Sequence, residues 1–202
     1  MPAPIPINEA ARRSALASYA ILDTDPEPSF DDLNHLASFI CKTPISMITL
    51  VDEHRQWFKS RIGVPLEETS RDIAFCSHAI LQDDIFVVPD ALADERFRSN
   101  PLVEGEPHIR FYAGVPLINN DGYALGTLCV IDKTPRQLTP DEKDALKALS
   151  RLVLAQMELR RNLVALKHAL NDRTAEEHQR QLELAKLQAQ LIRMVGLETV
   201  PR

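Results

Sequence analysis

Glycine is scarce in this chain, six in 202 residues, and none of the six form G-x-G-x-x-G. A phosphate-cradling glycine-rich loop is therefore missing, and so are a nucleophile elbow and paired metal-binding carboxylates. Catalysis has no positive support, and the chain reads as a non-enzyme. Cysteine is equally sparse. Cys41, Cys76 and Cys129 are odd in number, far apart and without a C-x-x-C, which argues against a disulfide framework and a zinc ribbon. No apolar run approaches the roughly 20 residues that cross a bilayer. The start, MPAPIPINEAARR, lacks the basic-then-apolar layout of a secretory signal. A cytoplasmic protein with no membrane partner is expected. Basic charge is also short where it would matter for nucleic acid. Residues 1–138 carry 12 Lys and Arg against 20 Asp and Glu, the wrong sign for phosphate. Residues 139–202 carry 11 against 9, too mixed to reverse that reading.

What the chain does have is the stretch Phe111 to Asp132, FYAGVPLINNDGYALGTLCVID. Two apolar, β-branched-rich arms flank Asn119-Asn120-Asp121-Gly122, which favours a tight reversal. Arms apolar throughout predict an antiparallel pair in mid-sheet with both faces covered. Whatever covers the second face is then a lid over something.

In chain order, Met1 to Ile7 is a proline-rich lead-in, and Asn8 can cap a helix over Glu9 to Tyr19. Ser29 or Asp31 can cap a second helix with Leu33, Leu36, Ala37 and Ile40 on one stripe. Ile45 to Val51 predicts a central strand. Gln56 to Ile62 alternates, with Trp57, Lys59 and Arg61 on one face and Phe58, Ser60 and Ile62 on the other. Gly63 to Asp72 reads as loop, Ile73 to Leu81 as a short helix, Ile85 to Val88 as a strand, and Ala91 to Pro101 as helix and turn. Strand hairpins with helices inserted indicate an α+β fold with an antiparallel sheet.

From Pro140 there is neither Gly nor Pro until Gly196. One heptad position takes Leu149, Gln156, Leu163, Leu170, Glu177, Leu184 and Leu191, the other Leu152, Leu159, Leu166, Arg173, Arg180, Leu187 and Met194. This unbroken 3–4 spacing predicts a long coiled-coil helix, weakened at Arg173, Glu177 and Arg180, and a homodimer through it. A single solvated helix is the alternative.

Gly114, Pro116, Leu117, Gly122, Gly126, Leu128, Val130 and Asp132 resemble the G-x-P-L…G…G-x-L-x-V-x-D pattern that closes GAF domains. The resemblance runs from about Pro26 to Leu154. Leu50–Gly63 and Arg71–Ile80 are similar to the N-terminal GAF modules of bacterial sensor kinases and cyclic-dinucleotide enzymes. It implies a six-stranded antiparallel sheet with helices on both faces, a small-molecule pocket, and a regulatory role transmitted through the trailing helix. Related modules bind cyclic nucleotides, bilins, haem or small metabolites, and the ligand here is not identified. The expected division is a helix and lead-in over 1–25, a GAF domain over 26–138 and the signalling helix over 139–202.

If Ile73 to Gly105 is the lid, the candidate ligand-binding residues are Cys76, His78, Asp90, Phe97, Arg110 and Tyr112, with Trp57 and Arg61 as wall. Cys76 and His78, two apart on a helix, diverge by about 200° and cannot share a metal. Bilin-binding GAF domains usually have Cys directly followed by His, whereas here Ser77 intervenes, so a buried structural Cys76 is expected. Arg110 is the handle for an anion, or else it pairs with Asp90 or Asp94 to hold the lid. Arg71 and Asp72 are expected to pair locally. Free-methionine-sulfoxide reductases, the enzymatic GAF proteins, need cysteines converging on one pocket, and nothing in the sequence places Cys41 or Cys129 beside Cys76. Three readings follow: a small-molecule sensor, a ligand-free dimerisation scaffold, and a sulfoxide-reductase-type enzyme. For a sensor, the output is a kinase or cyclic-dinucleotide domain of a longer protein, or a partner recruited by the helix.

Overall fold

The computed structural model describes residues 2–194. Six strands form one antiparallel sheet in the order β3-β2-β1-β6-β5-β4: β1 Ile45–Val51, β2 Arg55–Ile62, β3 Glu68–Ser70, β4 Phe86–Val88, β5 Phe111–Ile118 and β6 Ala124–Asp132. The hairpin β5–β6 lies in mid-sheet and is buried along nearly its whole length, as its apolar arms require. Gly122 takes φ +83 in the turn, and Asn119 Oδ1 accepts from the amides of Asp121 (3.1 Å) and Tyr123 (2.9 Å).

Helices α1 (Glu9–Ser18) and α2 (Pro28–Cys41) and the first turns of α5 (Pro140–Met194) cover one face. The short helices α3 (Cys76–Ala79) and α4 (Pro101–Glu104), with the turns between them, cover the other. This is an α+β fold. The sheet's pleat separates two cores. Ile48, Leu50, Phe111, Val115, Leu128 and Val130 face the long helices. Met47, Val51, Tyr112, Cys129 and Ile131 face the lid.

Three local expectations need correcting. The stripe of α2 that is buried is Phe30, Asn34, Ala37 and Cys41, while Leu36 is exposed. Asn34 sits inward because it is paired there: its Nδ2 donates to Ser46 O (3.1 Å) and Ser60 Oγ (3.0 Å), and its Oδ1 accepts from Ser46 Oγ (2.6 Å). The expected loop at 63–72 contains β3, a three-residue edge strand too short to leave a periodic signal. Finally, β2 does not alternate evenly. The register passes from Thr49↔Phe58 to Ile48↔Ser60, which leaves Lys59 as the extra residue of a bulge. Lys59 and Ser60 therefore both face α2, and Arg61 moves to the lid face opposite Met47.

That bulge has a load to carry. Lys59 is fully buried, and its three protons go to Thr24 Oγ1 (2.9 Å), Asp25 O (2.7 Å) and Glu27 Oε1 (2.7 Å). The link between α1 and α2 is held by that ammonium. On the same helix-covered side Arg12, also buried, joins Glu9 Oε2 (2.8 Å) to Val51 O (2.7 Å). Arg71 reaches the same Glu9 at 2.6 Å and Asp52 O at 3.0 Å. Arg71 thus pairs with Glu9 across 62 residues, not with its neighbour Asp72.

One compact unit ends at Leu159 and a second starts at Arg160. Within the first, α5 buries Leu146, Leu149, Ser150, Val153 and Met157. Within the second, every described residue but Arg160, Arg161 and Val164 is exposed. The heptad leucines Leu159, Leu163, Leu166, Leu170, Leu184, Leu187 and Leu191 are 52–64% exposed. The tail beyond Met194, including Gly196, lies outside the described residues. No described helix is long and apolar enough to cross a membrane.

Candidate functional site

The lid encloses a small apolar cavity of about 40 Å³ against the sheet. Met47, Phe58 and Ile131 rise from the strands, and Phe75, Leu102 and Pro107 close it from above. Its polar lining is Gln56, Thr69, Cys76 and Tyr112. Gln56 and Thr69 are cross-strand neighbours on β2 and β3. Gln56 Oε1 and Thr69 Oγ1 are both buried with no hydrogen-bond partner.

At the inner wall, Cys76 Sγ accepts hydrogen bonds from Thr127 Oγ1 (3.0 Å) and Tyr112 Oη (3.2 Å). Thr49 Oγ1 lies 3.0 Å from Thr127 Oγ1, and Cys129 Sγ lies 3.9 Å from Cys76 Sγ. Four side chains from β1, β5 and β6 thus gather around one sulfur. Burial alone would raise the Cys76 thiol, but hydrogen bonds from Cys129, Thr127, Thr49 and Tyr112 together bring it below the ordinary thiol range. Its bond to Cys76 and burial push Cys129 well up, and burial with the nearby sulfurs does the same to Tyr112. Cys76 is therefore the acceptor of the group and its neighbours are the donors. Cys41, on the other side of the sheet, is raised to about 12 by burial and by Glu142, against the opposing pull of Arg136.

Space for the Tyr112 ring comes from Gly114, two residues along the same strand face. A Cβ there would lie 2.2 Å from Tyr112 Oη. Above the phenol, Phe75 stacks at 5.2 Å and Phe97 stacks on Phe75 at 4.1 Å. Arg96, bonded to Asp94, lies over the rings of Phe86 and Phe97.

Of the residues singled out from sequence, only Cys76 and Tyr112 line the cavity. Phe97 and His78 belong to the aromatic cover, with ring centroids 4.8 Å apart. Cys76 points into the sheet while His78 stays part-exposed, as their spacing requires. Arg110 Nη1 donates to Val103 O (2.9 Å) and Ile109 O (3.0 Å). It holds α4 through carbonyls rather than through either aspartate. Asp90 accepts from the amide of Leu92 (3.0 Å) in a local turn. Trp57 is a correction: it lies in the helix-side core, on the opposite face from its cavity-lining neighbour Phe58. Arg61 faces the lid side but pairs with Glu67 (2.9 Å) outside the cavity.

Cys129 is a further correction, since the structure does place it beside Cys76. The residues missed were Thr49, Thr127, Cys129, Gln56 and Thr69. A threonine in the middle of each of two otherwise apolar central strands was the available signal. The register that sets Thr49 against Thr127 was not readable.

Residues 8–157 match the family described as GAF domain. Among curated proteins, a cyclic di-GMP phosphodiesterase of Pseudomonas aeruginosa is 40% identical over 160 residues, 79% of this chain. The chain spans only 27% of that relative's length. Among solved structures, the GAF domain of an Acinetobacter phosphoenolpyruvate-protein phosphotransferase superposes with TM-score 0.56 at 18% identity, covering 76% of this chain and 94% of that one. A free methionine-R-sulfoxide reductase of Neisseria meningitidis superposes with TM-score 0.55 at 15% identity, covering 80% and 96%. At such identities the superpositions speak for the fold and not for the chemistry.

Proposed function

The chain belongs to the GAF domain family, and from that membership we propose that it is a small-molecule-sensing regulatory module of bacterial signalling. A ligand beneath the lid biases how the lid packs on the sheet. Strand β6 and helix α5 carry that bias to an output, in a dimer joined through the exposed leucine seam of α5. The phosphodiesterase relative makes a cyclic-dinucleotide enzyme the first candidate for that output, with a kinase second.

The observation that carries this reading is the pair of unpartnered atoms, Gln56 Oε1 and Thr69 Oγ1, at the wall of an otherwise apolar cavity. Leaving one such group buried and unpaired costs about 1–3 kcal/mol, and a ligand with an N–H or O–H end and an apolar body would relieve both. At about 40 Å³ the cavity is far below the roughly 300–1,000 Å³ of ligand pockets. Binding therefore requires the lid to open outward, and the signal is the ligand's preference for the open arrangement over the closed one. The same small volume favours the second reading, a scaffold whose pocket is filled by its own side chains.

Native mass spectrometry and a thermal-shift screen of metabolites decide between them. A molecule that raises the melting temperature of the wild type, and not of Gln56→Leu, supports the sensor. No co-purifying molecule and no shift across the screen would leave the scaffold standing instead.

A further inference from the structure

The cysteines of the lid and the sheet are close enough to act on one another. Cys76 Sγ on α3 and Cys129 Sγ on β6 are 3.9 Å apart. A disulfide needs about 2.0 Å, so the two sulfurs have to approach by about 2 Å. Helix α3 is four residues long and is tied to the 3₁₀ turn before it by Ser77 Oγ donating to Arg71 O (3.0 Å). It is the element on which such a movement falls most easily.

Two further observations give the pair its chemistry. Two hydroxyls converge on Cys76, with Tyr112 and Thr127 donating to it directly and Thr49 standing behind Thr127. Donors arranged around sulfur favour the thiolate, the form that reacts. Cys76, unlike Cys129, also lines the cavity. A volume of about 40 Å³ exceeds the roughly 10–15 Å³ that admits a water molecule. Hydrogen peroxide, only two oxygen atoms long, is within reach of that space, while a bulky alkylating reagent is not.

We propose that Cys76 and Cys129 form a hydroperoxide-reactive dithiol site, with Cys76 as the attacking sulfur and Cys129 as the resolving one. Cys76 Sγ attacks one peroxide oxygen. An S–O bond forms and the O–O bond breaks, the sulfur giving up two electrons to the peroxide. The departing oxygen takes the proton that Cys76 loses and leaves as water, or as an alcohol from an alkyl hydroperoxide. Cys129 Sγ then attacks the Cys76 sulfenic acid, the S–O bond breaks, and the hydroxyl leaves with the Cys129 proton as a second water. The disulfide ties the lid to β6, the strand that runs on toward α5. This inference is independent of the ligand reading, because it uses a different wall of the cavity and a different reactant.

The test is hydrogen peroxide titrated into the folded full chain, followed by intact mass and disulfide mapping. The expected result is a loss of two hydrogens per chain at stoichiometric peroxide, a Cys76–Cys129 bond within one chain, and an untouched Cys41. Cys129→Ser should halt at a Cys76 sulfenic acid, read as one added oxygen in the intact mass and captured by dimedone once the chain is unfolded, and Cys76→Ser should not react. Because either serine can loosen the fold, Thr127→Val serves as a second variant. It keeps the volume and removes one donor, and should lower the rate of thiol loss about tenfold, the effect of one unit of thiol pKa on the thiolate fraction. Three free thiols after peroxide, a bond between two chains, Cys41 reacting as fast as Cys76, or a Thr127→Val rate equal to wild type would each overturn the proposal.

Discussion

A methyl group added at Gly114 would collide with the Tyr112 hydroxyl, 2.2 Å from the new carbon. Gly114→Ala should therefore swing the phenol away from Cys76 at a cost of about 1–3 kcal/mol, the usual range for overpacking a well-filled site, readable by denaturant unfolding. The Tyr112 titration, held well above the ordinary value mainly by burial, should move back down in the same variant. A second single-residue effect is set by Glu9. Burial acts to raise its carboxyl, but hydrogen bonds and charge from Arg12 and Arg71 prevail and bring it from 4.5 to about 2. A group whose folded-state pKa is depressed stabilises fully above its unfolded value and loses that contribution as pH falls toward the folded one. Stability should thus decline between pH 4.5 and about 2, and Glu9→Gln should flatten the decline in melts recorded across that window.

Among the elements, α5 carries two different stripes on one helix of 55 residues, about 80 Å at 1.5 Å per residue. Leu146, Leu149, Val153 and Met157 bury against the domain. The seam from Leu159 through Leu191 stays in solvent in a single chain, an arrangement that hydrophobic burial in a dimer would relieve. The wild type should sediment as a dimer at micromolar concentration, and the double variant Leu163→Glu with Leu166→Glu as a monomer. A monomeric wild type would remove the seam's proposed role. This helix and β1 were legible residue by residue, because one has an unbroken period and the other is almost wholly apolar. The inward stripe of α2 was not legible, since a buried Asn34 looks polar in sequence and is tolerated only through Ser46 and Ser60, supplied by other strands. Likewise β3 is three residues of pairing borrowed from β2, with no pattern of its own.

For the molecule as a whole, the sheet divides two kinds of interior. The helix side is fastened by charge, with Lys59 and Arg12 buried among carbonyls and carboxylates. The lid side is aromatic and aliphatic, with a knot of hydroxyls and sulfurs at its centre. The sequence pointed to the second face, because a hairpin with two apolar arms demands a cover. It could not show which residues meet there, because Cys76 and Cys129 are 53 positions apart and converge only when α3 lies on β6. The bulge at Lys59 shows what such a division asks of chain length. β2 holds one residue more than β1 across that span, and every side chain after it points the opposite way from an even count. Deleting Lys59 would close that bulge, and because Ser60 would then follow Phe58 directly, Ser60 would still face the helices opposite Ile48 and Arg61 the lid opposite Met47; what would be lost is the ammonium that gathers Thr24, Asp25 and Glu27. One residue too many for the ladder is what lets a strand lend a cation to a loop without disturbing the faces on either side of it.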